Sequence, residues 1–183
     1  MNCVTGAERR CYRDGMAVSI PVVESPRLRL RGHTLEDFPA CAELWQSAEV
    51  TRYIGGKPQS AEEAWARLLR YQGHWSWFGF GFWAVEEKAT GLFVGELGFA
   101  DFRRDITPAI AVPEAGWVLC PAAQGKGYAT EGLMAALSWF GRPTACIIHP
   151  ENAASVRVAE KCGYGNLRHV KYRGSDTVLM ERG

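Results

Sequence analysis

The chain has 183 residues, enough for one domain with a sizeable core. Its 47% apolar and 22% charged residues are ordinary for a soluble globular protein, and a net charge of +1 announces neither a nucleic-acid footprint nor an acidic tail. No apolar run approaches the ~20 residues that span a bilayer, and the N-terminus lacks the apolar centre of a signal peptide, so no membrane partner is expected.

Residues 1–21 carry no period and no apolar face, which predicts a loose extension; Met16 is an alternative start to Met1. A single domain is expected over 22–183. Leu28 and Leu30 alternate with Arg27, Arg29 and Arg31 as a half-exposed strand. Thr34 with Asp37, and Ser60 with Glu63, stand at capping-box spacing and open two helices. Phe38, Cys41, Ala42 and Trp45 give the first its apolar stripe. Ala64, Leu68 and Tyr71 give the second its buried face, and Gly73 is expected to stop it. The aromatic cluster Trp75, Trp77, Phe78, Phe80, Phe82 and Trp83 reads as core plus the start of a strand, or as a wall of a substrate pocket. Phe82–Glu87 and Leu92–Phe99 read as a hairpin about Lys88-Ala89-Thr90-Gly91. A third strand is expected over about Ala111–Leu119, with Pro113 implying an edge or an irregularity near its start.

The next stretch, Gln124-Gly125-Lys126-Gly127-Tyr128-Ala129-Thr130-Glu131, lies between that strand and an amphipathic helix, Tyr128–Phe140. Two glycines allow a tight turn and close approach to a ligand. The first N–H groups of a helix lack partners and, with the helix dipole, favour an anion such as a phosphate. A P-loop is excluded twice: Gly127 replaces the hydroxyl residue and Cys120 the first glycine. The dinucleotide fingerprint matches only at Gly79–Ala84, before a strand rather than a helix, and is discounted. What remains is Gln-x-x-Gly-x-Ala, at Gln124, Gly127 and Ala129. Further on, Thr144–His149 reads as a strand and Asn152 as the N-cap of a helix that carries Ser155 and ends at Gly163. A final hairpin turns at Gly174-Ser175-Asp176. The order of elements predicts an α+β (mixed α/β) sandwich with helices on both faces of one sheet.

The six cysteines (Cys3, Cys11, Cys41, Cys120, Cys146, Cys162) form no Cys-x-x-Cys pair. Their pattern argues for reduced thiols in a cytoplasm, against a disulfide scaffold or a zinc site. Nor do His33, His74, His149 and His169 show metal-ligand spacing, so no metal is expected.

The turn, together with Glu114–Leu119 before it and Asn152–Ser155 through Glu160–Tyr164 after it, resembles the GNAT superfamily of N-acetyltransferases. It looks most like the branch of ribosomal-protein N-terminal acetyltransferases. Ser25–Arg31 and Gly81–Val85 resemble that branch too, so the resemblance covers roughly Val22–Glu181. It implies a three-layer sandwich with a twisted sheet of about seven strands and four main helices. It implies acetyl-CoA as acyl donor, its pantetheine in a wedge between the strands ending near Leu119 and His149. Trp117, Val118 and Leu119 would meet the pantetheine. Gln124, Gly125, Lys126, Gly127, Tyr128, Ala129 and Thr130 would surround the diphosphate, Asn152 would meet the pantetheine or diphosphate arm, and Ser155 would lie near the sulfur. Gly132 departs from the alanine more usual in the family.

Amine acetylation requires an unprotonated amine and a protonated leaving thiolate. At pH 7 deprotonation costs about 1 kcal/mol for an α-amine and about 4.6 kcal/mol for a lysine. Candidate acids are Ser155, at the position where the branch uses a serine near the sulfur, and Tyr164. Candidate bases are Glu114 and Glu96, directly or through water; each carboxylate could equally be a solvated strand residue. The expected activity is transfer of an acetyl group to a primary amine, such as a peptide or protein N-terminus. Alternatives are a small amine (polyamine, amino acid, aminoglycoside), a longer acyl-CoA donor, or a catalytically silent CoA-binding domain. Exposed strands and the aromatic cluster are compatible with a homodimer.

Overall fold

The computed structural model describes residues 18–183. The expected extension and the choice between Met1 and Met16 fall on residues outside that range, apart from residues 18–21, whose Ile20 already packs on the core. Eight strands form one sheet in the order β1-β2-β3-β4-β5-β6-β8-β7, one more than the resemblance implied. They are β1 (Val23–Glu24), β2 (Leu28–Arg31), β3 (Phe82–Glu87), β4 (Phe93–Ala100), β5 (Glu114–Leu119), β6 (Thr144–Ile148), β7 (Gly165–Tyr172) and β8 (Ser175–Arg182). The helices are α1 (Phe38–Gln46), α2 (Ala48–Thr51), α3 (Ala61–Phe78), α4 (Tyr128–Phe140) and α5 (Ala153–Lys161). Every strand pair is antiparallel except β5 with β6.

The alternation along β4 sets the layers. Leu97 and Phe99 face α4, where Phe99 stacks on Phe140 at 4.2 Å between ring centroids and joins a core with Leu133 and Ala136. Glu96 faces the other way, toward Trp45 of α1 and Tyr71 of α3. Both faces of the sheet are therefore covered, as the pattern of strands and helices predicted. Two close approaches need glycine. A Cβ on Gly98 would stand 2.2 Å from Gly81 O, and one on Gly132 would stand 2.6 Å from Leu97 Cδ2. The departure at Gly132 thus lets α4 lie close against β4.

Both capping boxes form, Thr34 with Asp37 on a short 3-10 turn and Ser60 with Glu63 on α3. Three boundaries differ from expectation. Gly73 does not stop α3, which continues to Phe78 and ends at Gly79 with φ 68°. Trp75, Trp77 and Phe78 are thus helical, because burial of Tyr71, His74 and Trp75 extends the apolar face beyond the glycine. The third strand begins at Glu114, just after Pro113, so the proline removes no ladder donor. The last hairpin turns on Arg173 and Gly174, both at positive φ, and Ser175 is already in β8.

Candidate active site

The glycine turn supplies a cradle of backbone donors. Gly125 and Gly127 adopt φ of 74° and 80°, and Gly127 is the N-cap of α4. Gln124 N–H donates to Pro121 O and Glu131 N–H to Gly127 O. Between them, no backbone carbonyl among the described residues accepts from the N–H groups of Gly125 through Thr130. These six consecutive donors, at the positive end of a 13-residue helix, fit a diphosphate. Ser25 and Arg27, from the loop joining β1 to β2, lock the cradle in place. Ser25 Oγ, Arg27 N and Arg27 Nε all donate to the Glu131 carboxylate, at 2.7 to 2.8 Å. Arg27 Nη1 also donates to Lys126 O, and its guanidinium lies 4.6 Å from the Tyr128 ring centre. Lys126 itself is exposed.

Beside the cradle, β5 and β6 part. Their only register pair is Glu114 with Ala145, at the start of both strands. Beyond it β5 stays paired to β4 as far as Leu119, and β6 to β8 as far as Ile148. The inner edges of both strands are thus open toward each other, which is the wedge expected between Leu119 and His149. A cleft of about 730 Å³ opens here. Trp117, Val118, Ile148, His149, Asn152 and Ser155 line it on the wedge side, and Trp45, Arg67, Arg70, Tyr71 and Arg104 line the side under α1 and α3.

The candidate acids and bases are placed unequally. Ser155 lies in the first turn of α5 and lines the cleft. Its N–H is capped by Asn152 Oδ1 at 3.1 Å, while its Oγ has no partner among the described residues. Tyr164 is buried, bonded at 2.7 Å to Thr144 Oγ1, and does not line the cleft. Neither carboxylate is the solvated strand residue that the sequence also allowed: Glu96 is 1% and Glu114 6% exposed. Glu114 lines the cleft and accepts from Arg104 Nε and Nη2 at 2.5 and 2.6 Å. Burial raises its carboxyl above the ordinary value, opposed by Arg104. Glu96 lies below the cleft floor, and its Oε2 accepts from Trp45 Nε1 at 2.9 Å and from Tyr71 Oη at 3.0 Å. Burial raises its carboxyl too, but the neighbouring His33, whose Nε2 lies 3.4 Å from Oε1, and the bond from Trp45 outweigh burial and hold it below the ordinary value.

His33, Cys41 and Glu96 converge with one ligand-type atom each within 4.8 Å of the others, a cluster that sequence spacing did not reveal. Within it burial raises the Cys41 thiol above its ordinary value, and Glu96 also accepts from Trp45 and Tyr71. Among the described residues the other thiols, Cys120, Cys146 and Cys162, are free. No helix of the described residues is long and apolar enough to cross a membrane.

A family model described as an acetyltransferase (GNAT) domain matches residues 27–165, spanning the cradle, the wedge and α5. The chain belongs to the GNAT acetyltransferase family. It is 30% identical over 139 residues to the uncharacterised YkkB of Bacillus subtilis, covering 73% of this chain and 77% of that one. The solved structure of a GNAT-family acetyltransferase assigned in Bordetella pertussis matches with a TM-score of 0.78 at 28% identity, over 89% of this chain and 99% of that one. The fold is also that of RimL, a ribosomal L7/L12 α-N-protein acetyltransferase solved with coenzyme A, at a TM-score of 0.69 and 17% identity over 88% and 97% of the two chains. The chain is thus a GNAT acyltransferase.

Within this GNAT enzyme, sequence reasoning missed the residues that surround the two ends of the site. Arg27 carried a signal, since it opens the Arg-x-Arg-x-Arg alternation, but that pattern also fits a solvated strand face. Arg67 and Arg70 stand at i, i+3 on α3, and nothing in their spacing says that this face borders a cleft.

Proposed function

We propose that this enzyme transfers the acetyl group of acetyl-CoA to a primary amine by direct attack on the thioester. The observation that carries the reading is continuity: the row of orphan amides at Gly125–Thr130 adjoins a wedge that leads to Ser155 and Glu114. When bound, acetyl-CoA supplies the activated acyl carbon. The amides of Gly125, Lys126, Gly127, Tyr128, Ala129 and Thr130 would hold its diphosphate. The open inner edge of β5 at Trp117, Val118 and Leu119 would hold its pantetheine, with Asn152 at the mouth of α5 and Gln124 tethered to Leu119 O at 3.4 Å.

Ser155 Oγ, free of internal partners, donates a hydrogen bond to the departing sulfur. Glu114 accepts the amine proton through water, because it reaches the cleft and burial lifts its carboxyl toward the working pH. Glu96 acts indirectly, by orienting Trp45 and Tyr71. Tyr164 serves the core, through Thr144.

Release of free thiol from acetyl-CoA, followed against a panel of α-amino acids, peptides, polyamines and aminoglycosides, tests the reading. Longer acyl-CoA donors in the same panel separate acetyl transfer from other acyl transfer. Amine-dependent thiol release with a matching acetylated product supports it. Tight CoA binding with no thiol release for any amine would show a silent CoA-binding domain instead.

A further inference from the structure

Five arginines line the cleft (Arg52, Arg67, Arg70, Arg104 and Arg173), against two carboxylates, Glu114 and Asp176. Both carboxylates are engaged, Glu114 by Arg104 and Asp176 by Lys171 at 2.8 Å. Glu96, beneath the floor, is shielded by bonds from Trp45 and Tyr71. Among the described residues, neither Arg67 nor Arg70 has a carboxylate within ion-pair distance. Arg67 is nevertheless held in place: its guanidinium lies 3.6 Å from the Trp45 ring centre, and its Nε donates to Gln59 Oε1 at 3.3 Å. Arg70 lies 5.4 Å from the Phe102 ring centre. Stacking on aromatic faces fixes a guanidinium while leaving its edge donors free to bond an oxyanion in a two-point manner.

We infer that the acceptor amine carries an anionic group, a carboxylate or a phosphate, which Arg67 and Arg70 receive while the amine faces Glu114 and Ser155. This rests on the acetyl-transfer reading above and narrows its acceptor. The positive cleft has a second consequence. Like charge disfavours an ammonium, so the surrounding guanidinium groups lower the cost of presenting the amine unprotonated. The same field opposes a polyamine, which has no anion to offset its charges.

The test uses the full chain with saturating acetyl-CoA and matched acceptors. Glutamate and aspartate are compared with their diamides, in which both carboxylates are neutralised, O-phosphoethanolamine with ethanolamine, and spermidine serves as the cation. The anionic members are expected to exceed their neutral counterparts at least tenfold in kcat/KM. Whichever series leads identifies the anion as carboxylate or phosphate. In Arg67→Gln/Arg70→Gln the preference is expected to collapse through KM, with CoA affinity and Tm unmoved. Arg67→Lys/Arg70→Lys, which keeps the charge, should restore part of it.

Titration of the same compounds into the CoA complex, followed by calorimetry, reads the anion preference without turnover. Preferential binding of anionic amines, lost in the glutamine variant, with no acetylation of any compound would uphold this inference and overturn the transfer reading. Equal or better turnover or binding of the neutral amines or spermidine, or a preference that survives in the glutamine variant, would overturn the inference, and the transfer reading stands wherever amine-dependent thiol release is seen.

Discussion

Ser155 and Asn152 stand three residues apart and divide their work. Asn152 supplies the cap acceptor of α5, whereas Ser155 contributes only its backbone N–H to that cap. Removing the Ser155 hydroxyl therefore leaves the helix start intact. Ser155→Ala is expected to lower kcat about 100-fold, with Tm and the KM for acetyl-CoA within twofold of the parent, read by thiol release and thermal unfolding. Unchanged kcat would remove Ser155 from the mechanism. At Gly127 the constraint is backbone rather than side chain. Its φ of 80° is left-handed, and an added Cβ would meet only Arg27 Nη2, at 3.5 Å. Gly127→Ala is thus expected to cost about 1 kcal/mol of stability. If the strain relaxes by turning the amides, CoA affinity should fall about fivefold, measurable by calorimetry.

Among the elements, β4 is the one on which both layers and the wedge depend. It pairs with β3 and β5 along its length, and so holds β5 in place while β6 departs. Its glycines are sites of close approach between strands. A Cβ at Gly98 would stand 2.2 Å from Gly81 O and 2.5 Å from Phe82 Cα, both backbone atoms that no rotamer change can move. Gly98→Ala is expected to destabilise by about 3 kcal/mol, read from the urea midpoint. A loss below about 1 kcal/mol would show that β3 and β4 can slide apart. α3 illustrates the opposite case. Gly73 sits in the middle of an 18-residue helix, and a Cβ there would meet nothing.

At the scale of the whole molecule, the Glu131 clamp ties the first strands of the domain to the helix that starts its second half. Ser25 and Arg27 lie about a hundred residues earlier in the chain and close on one carboxylate. Partial burial raises the Glu131 carboxyl, but the bonds from Ser25 and Arg27 outweigh it, so the folded value lies below the ordinary 4.5. The sign follows: the unfolded chain takes up the proton first as pH falls. The clamp's contribution is complete above about pH 4.5 and is lost as pH falls through the folded value. Glu131→Gln is expected to flatten that part of the acid limb in urea unfolding at pH 7 against pH 4, and to loosen CoA binding at both. An acid limb identical to the parent's would show that Glu131 is not coupled to folding.

Local signals were legible wherever the physics is local. The capping residues Thr34 and Ser60, the two-residue alternation of β2, the glycine turn at 124–131 and the Asn152 cap each depend on neighbours within a few positions. From them the layered fold, the family and the turn that opens α4 could be read. Tertiary structure alone decided what lies opposite what. Glu96 and Glu114 occupy ordinary strand positions, and only packing buries both, one over Trp45 and Tyr71, the other against Arg104. Arg67 and Arg70 look like any solvated helix face until β5 and β6 splay beside them. Burial and electrostatic surroundings are sums over residues distant in sequence, and no local pattern encodes such sums.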